Sequence, residues 1–265
     1  MLDWYGYSWE GYRRVRKGVM KRISRHMQEL ESRSVKEYVS LLDVQPAQKA
    51  RSERLMSVTI SRFLRDRSMW NALEREILPD QLLTAGSCMK IWCAGCACGE
   101  EVYTFLIVWT RLEERCGPLP EFELWATDMN VEALTKARTG IYPRSSLREL
   151  PDEWRSRYFS ASDGGKRFAV SESLKHGIRW EVHSLDRENP PASGFQLILL
   201  RNGILTYLSG ARRNDAFLKV FQSLAAGGVL AVGAHEQLPS CICGQMAKTS
   251  HPLLHRKRPL EGENG

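Results

Sequence analysis

The sequence predicts an α/β protein: an open, mostly parallel sheet domain with a small β insertion, preceded by a small all-α N-terminal domain. Three observations carry this. The apolar run Cys88–Cys93 reads as a buried strand that ends in a small-residue turn, after which Val102–Leu112 has helical periodicity. From Cys88 to Gly233 strand-like and helix-like stretches alternate, with one lapse between Gly140 and Arg179. Before Val58 only helix-period patterns occur.

At 265 residues the chain holds one sizeable core and a smaller satellite domain. Hydrophobic residues at 43% and charged residues at 26% describe an ordinary globular composition. No apolar run reaches the roughly 18–20 residues needed to span a bilayer. Met1–Tyr12 is aromatic and polar without an apolar h-region, so no signal peptide and no membrane insertion are expected, and the cytoplasm is the default. Cys93, Cys96 and Cys98 form C-x-x-C-x-C, and Cys241 and Cys243 form C-x-C. The first cluster lies inside the proposed ligand turn, so small buried thiols are expected there and no metal site.

Taken in order, Tyr12, Val15, Val19, Ile23, Met27 and Leu30 place one apolar stripe on a helix. Between Arg13 and Arg25 the remaining positions carry seven Lys/Arg and no acid. Ser34-Val35-Lys36-Glu37 has the capping-box pattern of a second helix, and a third is expected from about Lys49 to Val58. Short amphipathic helices of this kind form a bundle, placed at residues 10–58. Residues 59–68 are a junction. Met69, Trp70, Leu73 and Ile77 mark a helix stopped by Pro79. A sheet domain follows over residues 69–250. Its second strand is Phe122–Thr127, with a short helix at Val131–Arg138. The lapse at residues 140–179 is read as an insertion with a small hairpin around the helix-like Asp152–Phe159. Ile178–Val182 and Phe195–Leu200 resume the sheet. The helix Asp215–Ala225 is closed by Gly227-Gly228, and Val229–Gly233 is the next strand. Residues 251–265 read as a disordered tail.

Ligands of open α/β sheets bind beyond the carboxyl ends of the strands. Four such ends carry suggestive chemistry: Gly95–Glu101, Asp128, Ser184-Leu185 and Asn202. Gly95, Ala97 and Gly99 alternate where strand turns to helix, which lets backbone approach a ligand and points helix amides at it. Asp128 follows 33 residues after Gly95, where an acid accepts ribose hydroxyls or caps the next helix. Asn202 offers both a donor and an acceptor.

Ala94-Gly95-Cys96-Ala97-Cys98-Gly99-Glu100-Glu101-Val102-Tyr103 resembles the S-adenosylmethionine (SAM) loop of the CheR-type chemotaxis receptor methyltransferases. Ala126–Asn130, Lys136–Pro143 and Phe195–Asn202 are similar to later motifs of that family, in the same order. Thr59-x-Ser61-x-Phe63-Leu64-Arg65-Asp66 resembles its linker motif, and the basic helix at Arg13–Arg25 sits where the family has one. The resemblance runs from about residue 10 to residue 238.

It implies a Rossmann-like SAM-dependent methyltransferase domain and a linker that reaches the cofactor. By that resemblance Thr59, Ser61 and Arg65 contact SAM from the linker side, beside Gly95, and Glu100 or Glu101 holds its amino-acid portion. Asp128 takes the ribose, Ser184 and Leu185 flank the adenine, and Asn202 and Gly203 line the floor near the methyl donor. Arg65 is the expected group for orienting an anionic acceptor, and Arg201 is read as a buried ion-pair partner. Thr59, Val102, Ser184 and Gly203 depart from the usual residues, and Gly233-Ala234-His235-Glu236 stands near the family's Gly-His-Ser-Glu. The implied activity is esterification of protein glutamate side chains on an acidic acceptor protein, such as a chemoreceptor-like helix. A small-molecule acceptor and a non-catalytic SAM-binding module stay open. A nucleic-acid acceptor is disfavoured, because no aromatic-basic platform accompanies the basic helix.

Overall fold

The computed structural model describes residues 1–84 and 86–259. Twelve α-helices are present among them: α1 (Leu2–Tyr5), α2 (Trp9–Tyr12), α3 (Arg16–Glu29), α4 (Val35–Val44), α5 (Pro46–Met56), α6 (Arg67–Ala72), α7 (Leu78–Thr84), α8 (Glu100–Cys116), α9 (Val131–Thr139), α10 (Asp152–Tyr158), α11 (Ile204–Tyr207) and α12 (Gly210–Ser223). The strands are β1 (Cys88–Ala94), β2 (Glu121–Asp128), β3 (Ile141–Pro143), β4 (Phe159–Ser162), β5 (Arg167–Val170), β6 (Ile178–Val182), β7 (Phe195–Leu200), β8 (Leu224–Val232), β9 (Met246–Lys248) and β10 (Leu254–Lys257).

The main sheet has seven strands in the order β6-β2-β1-β7-β8-β10-β9. The first five run parallel, and β10 and β9 are antiparallel additions at one edge. The chain builds outward from β1 through β2 to β6, then returns to place β7 on the other side of β1. That reversal leaves a crevice beyond the carboxyl ends of β1 and β7. Register brings Cys93 opposite both Ala126 and Leu199, and Leu200 opposite Val232, so the strand ends form one row.

Both faces of this sheet are buried, and alternate residues divide between them. Met89, Ile91, Cys93, Leu197 and Leu199 join one core with α6, α7, α8 and the insertion. Trp92, Ala94, Ile198 and Leu200 join the other with α12 and the N-terminal helices. Val19, Ile23, Tyr38, Leu42 and Met56 are buried in that same second core, and α2 packs against α11, so the N-terminal helices share one core with the sheet domain. They begin at Leu2, ahead of the expected residue 10.

Several expectations are corrected. Pro79 does not stop its helix. A π turn over Leu73–Ile77 precedes it, and the run continues through α7. Such a turn shifts the carbonyl that the proline ring would otherwise strike. The insertion does hold a hairpin, β4–β5, and β3 extends it to a three-stranded antiparallel sheet ordered β3-β5-β4. The expected tail also differs. Leu254 is fully buried and β10 pairs with β8, because an edge strand needs only one apolar face and tolerates charges on the other. Arg256 bonds Asp80 at 2.5 Å, and Lys257 donates to the Leu224 carbonyl at 2.6 Å. The rest of the tail, residues 260–265, lies outside the described residues.

Candidate active site

A cavity of about 770 Å³, its mouth included, lies beyond the carboxyl ends of β1, β2 and β7. Thr59, Gly95, Asp128, Leu185, Asn202 and Gly203 line it. A smaller pocket adjoins it, lined by Ser61, Arg65, Glu101 and Arg201 and sharing Gly95 and Asn202. Most of the residues expected to hold a cofactor are thus brought together.

The turn after β1 is shaped by left-handed backbone at Gly95 (φ 82°), Ala97 (φ 49°) and Gly99 (φ 88°). Gly99 has no room for a side chain, since a Cβ there would lie 2.9 Å from Ala137 Cβ. At Gly95 a Cβ would meet only Leu185 Cδ1, at 3.7 Å, so these two residues face each other across a slot. Asp128 braces the turn: its Oδ2 accepts the Ala97 N–H at 2.9 Å and its Oδ1 the Asn130 N–H at 2.8 Å. Burial pushes the Asp128 carboxyl up, and these two donors pull against that. Asn130, not Asp128, caps α9, accepting from Ala133 N–H at 3.1 Å.

Glu101 and Glu100 part company. Neighbouring helical residues point about 100° apart, so only one of them can face the cavity. Glu101 does, paired with Arg201 at 2.6 Å. Burial raises the Glu101 carboxyl, and Arg201 works against the rise. Glu100 turns to the insertion, where its Oε1 accepts from Ser146 Oγ at 3.4 Å and its Oε2 has no partner. Burial pushes this carboxyl up to about 7. The expectation that Glu100 touches the cofactor is therefore corrected. Ser184 is corrected too. Its hydroxyl donates to Asp186 Oδ1 at 2.7 Å and its N–H to Glu188, so Leu185 alone of that pair lines the cavity.

Arg201 has the expected structural role. Its guanidinium bridges Glu101, Asp66 at 2.7 Å and the Arg65 carbonyl at 2.8 Å. This ties the linker turn, where Leu64 and Asp66 have positive φ, to the start of α8. Arg65 is thereby held at the cavity edge, and burial followed by the nearby Arg201 charge lowers its pKa. Its side chain also lines an outer cleft with Arg13, Arg14, Arg213 and His235, where Glu10 is the one acid. That cleft meets the larger cavity at Asn202, Tyr207 and Leu208.

Other lining residues escaped the sequence reading. Tyr7 and Tyr12 bring the N-terminal segment over the cavity, held by N–H donation from Ser8 to the Tyr207 carbonyl at 2.9 Å and from Ser209 to the Gly6 carbonyl at 3.0 Å. Burial raises the Tyr7 hydroxyl to about 12. Asp186 is clasped by Arg212 at 2.5 Å, and Glu53 pairs with Arg187. The one signal available was the density of aromatic residues before Arg13. Among the described residues no group of three or more His, Cys, Asp or Glu side chains is placed to hold a metal. Burial pushes the Cys93 and Cys96 thiols well up, as expected for small packed thiols.

Residues 59–250 match the family described as "CheR methyltransferase, SAM binding domain". The chain belongs to that family. It is 30% identical over 184 residues to a chemotaxis protein methyltransferase of Listeria monocytogenes, the alignment covering 69% of this chain and 67% of that protein. A Listeria innocua protein of the same name gives the same identity and coverage. Chemotaxis protein methyltransferase 2 of Vibrio cholerae is 26% identical over 229 residues, covering 83% of this chain and 77% of that protein. This CheR-family chain is a SAM-dependent methyltransferase. The site fits the cofactor: Asp128 lines the cavity and Glu101 the pocket that adjoins it, so a carboxylate stands at each polar end of the molecule. No helix among the described residues is long and apolar enough to cross a membrane.

Proposed function

We propose that the enzyme forms methyl esters on glutamate side chains of an acidic acceptor protein, such as a chemoreceptor-like helix, in the cytoplasm. Bound SAM supplies an electrophilic sulfonium methyl group, which a carboxylate oxygen takes as the sulfur leaves. The protein's own contribution is to hold the partners. Asp128 receives the ribose hydroxyls; Glu101 with Thr59, Ser61 and Arg65 receives the amino-acid end; Leu185 packs against the adenine; Gly95, Asn202 and Gly203 form the floor.

One observation carries the acceptor class. The residues that the outer cleft and the larger cavity share, Asn202, Tyr207 and Leu208, include no carboxylate and no imidazole to act as a base. Glu101 is paired with Arg201, the Glu236 carboxylate accepts from Asn202, Gly203, Thr206 and Gly233, and burial raises the Tyr207 hydroxyl. An acceptor that arrives anionic needs no base, and a carboxylate is anionic at neutral pH. The arginine-lined cleft suits that charge, and alignment with exclusion of water does the rest. Incubation with labelled SAM and acidic proteins, followed by base, is expected to release volatile methanol. Base-stable label would overturn the ester reading and point to nitrogen or ribose methylation.

A further inference from the structure

Donors from three short stretches of chain converge on one carboxylate just past β8. Glu236 Oε2 accepts the N–H groups of Asn202 at 2.9 Å and Gly233 at 2.7 Å. Its Oε1 accepts the Gly203 N–H at 3.2 Å and the Thr206 hydroxyl at 2.6 Å. The ends of two neighbouring strands, β7 and β8, are thus tied through a single side chain. Asn202 is held at φ 55°, a conformation L residues rarely adopt. A Cβ at Gly233 would fall within contact of Asn202 Nδ2 and 2.9 Å from Glu236 Oε2, so the Asn202 amide lies flat against that glycine. Asn202 in turn lines the cofactor cavity, the pocket beside Glu101 and the outer cleft.

We infer that Glu236 is a positioning residue for methyl transfer: its carboxylate fixes the Asn202-Gly203 turn at the point where donor and acceptor cavities meet. The inference rests on the methyltransferase reading of that junction. A carboxylate is required because four donors face two oxygens. An amide of the same shape would turn its own N–H₂ toward two of them, and Thr206 could rotate to accept while the Gly203 N–H could not.

The test compares Glu236→Gln and Gly233→Ala with the wild-type protein. Expected for both is a fall in kcat of about 10-fold or more, with the Kd for SAM changed less than about threefold. Melting temperature should fall by only a few degrees, and the Asn202 side-chain amide resonances should move in ¹⁵N NMR. A kcat fall matched by an equal loss of SAM affinity, or a lowered melting temperature with kcat unchanged, would reduce Glu236 to a structural brace. Unmoved Asn202 resonances would also overturn the inference. Should Glu236→Gln fail to fold, Gly233→Ala decides. The NMR readout needs no acceptor, so failure of the glutamate reading is seen separately, as wild-type protein that yields no base-labile ester.

Discussion

Asp128 takes the backbone N–H of Ala97 at 2.9 Å, and Ala97 is held at φ 49° in the turn after β1. The acid at the end of one strand therefore fixes the shape of the loop at the end of its neighbour. Each carboxylate oxygen keeps a second lone pair for a ligand. Loss of the side chain removes the brace and, on the proposed cofactor role, the ribose contacts as well.

Asp128→Ala is therefore expected to weaken SAM binding roughly 10-fold or more, charge-assisted hydrogen bonds being worth about 1.5–3 kcal/mol each. Calorimetry on the folded variant checks this. Unchanged affinity would remove Asp128 from the cofactor site.

Glu100 supplies a pH dependence. Its carboxyl is pushed by burial from the ordinary 4.5 to about 7. Between those values the folded protein holds a proton that the unfolded chain has released, so stability falls as pH rises through that window. The contribution of the neutral form is complete below the unfolded value and gone above about 7. Glu100→Gln, which cannot ionise, is expected to exceed wild type in stability by up to about 3 kcal/mol at about pH 8. At about pH 4 the two should melt together. A difference that does not change with pH would show that folding leaves the Glu100 pKa where it is in the unfolded chain.

Arg16 and Lys17 stand exposed at the start of α3 and Arg13 in the turn before it, and Arg13 also lines the outer cleft. Reversing all three to Glu is expected to lower kcat/KM for an acidic protein acceptor while SAM affinity and fold are kept. Charges at a rim act mainly on association rate, and screening beyond about 10 Å at 0.1 M salt should shrink the loss. Stopped-flow or steady-state kinetics at two salt concentrations decide it. Equal kinetics at low salt would return this face to a solvated surface.

What the sequence made legible was local. The β1–α8–β2 unit follows from an apolar run, glycines at the turn and helical periodicity, all within forty or so residues of chain. The same rule placed Gly95, Asp128, Leu185 and Asn202 around one cavity, since topology puts the strand ends in one row. Pairings between distant segments were not legible. β10 is four residues with three charged or titratable side chains, and only its partner β8 makes it a strand. Glu236 stood in the motif-like run Gly233–Glu236, but no spacing tells that Asn202, Gly203, Thr206 and Gly233 all donate to it. Which of Glu100 and Glu101 faces the cavity depends on the rotation of α8 against the insertion, which no spacing rule sets.

The family match ends at residue 250, but the sheet does not: β10 lies at Leu254–Lys257 and covers β8, with β9 covering β10 in turn. A recombinant fragment cut at the family boundary would strip β8 of its outer neighbour and bare a row of unpaired backbone groups. Leu254 would leave a gap in the core, and open edges of this kind recruit strands from other molecules. Fragments intended for crystallisation or binding assays should therefore carry the chain through Arg258, and a C-terminal affinity tag belongs beyond it.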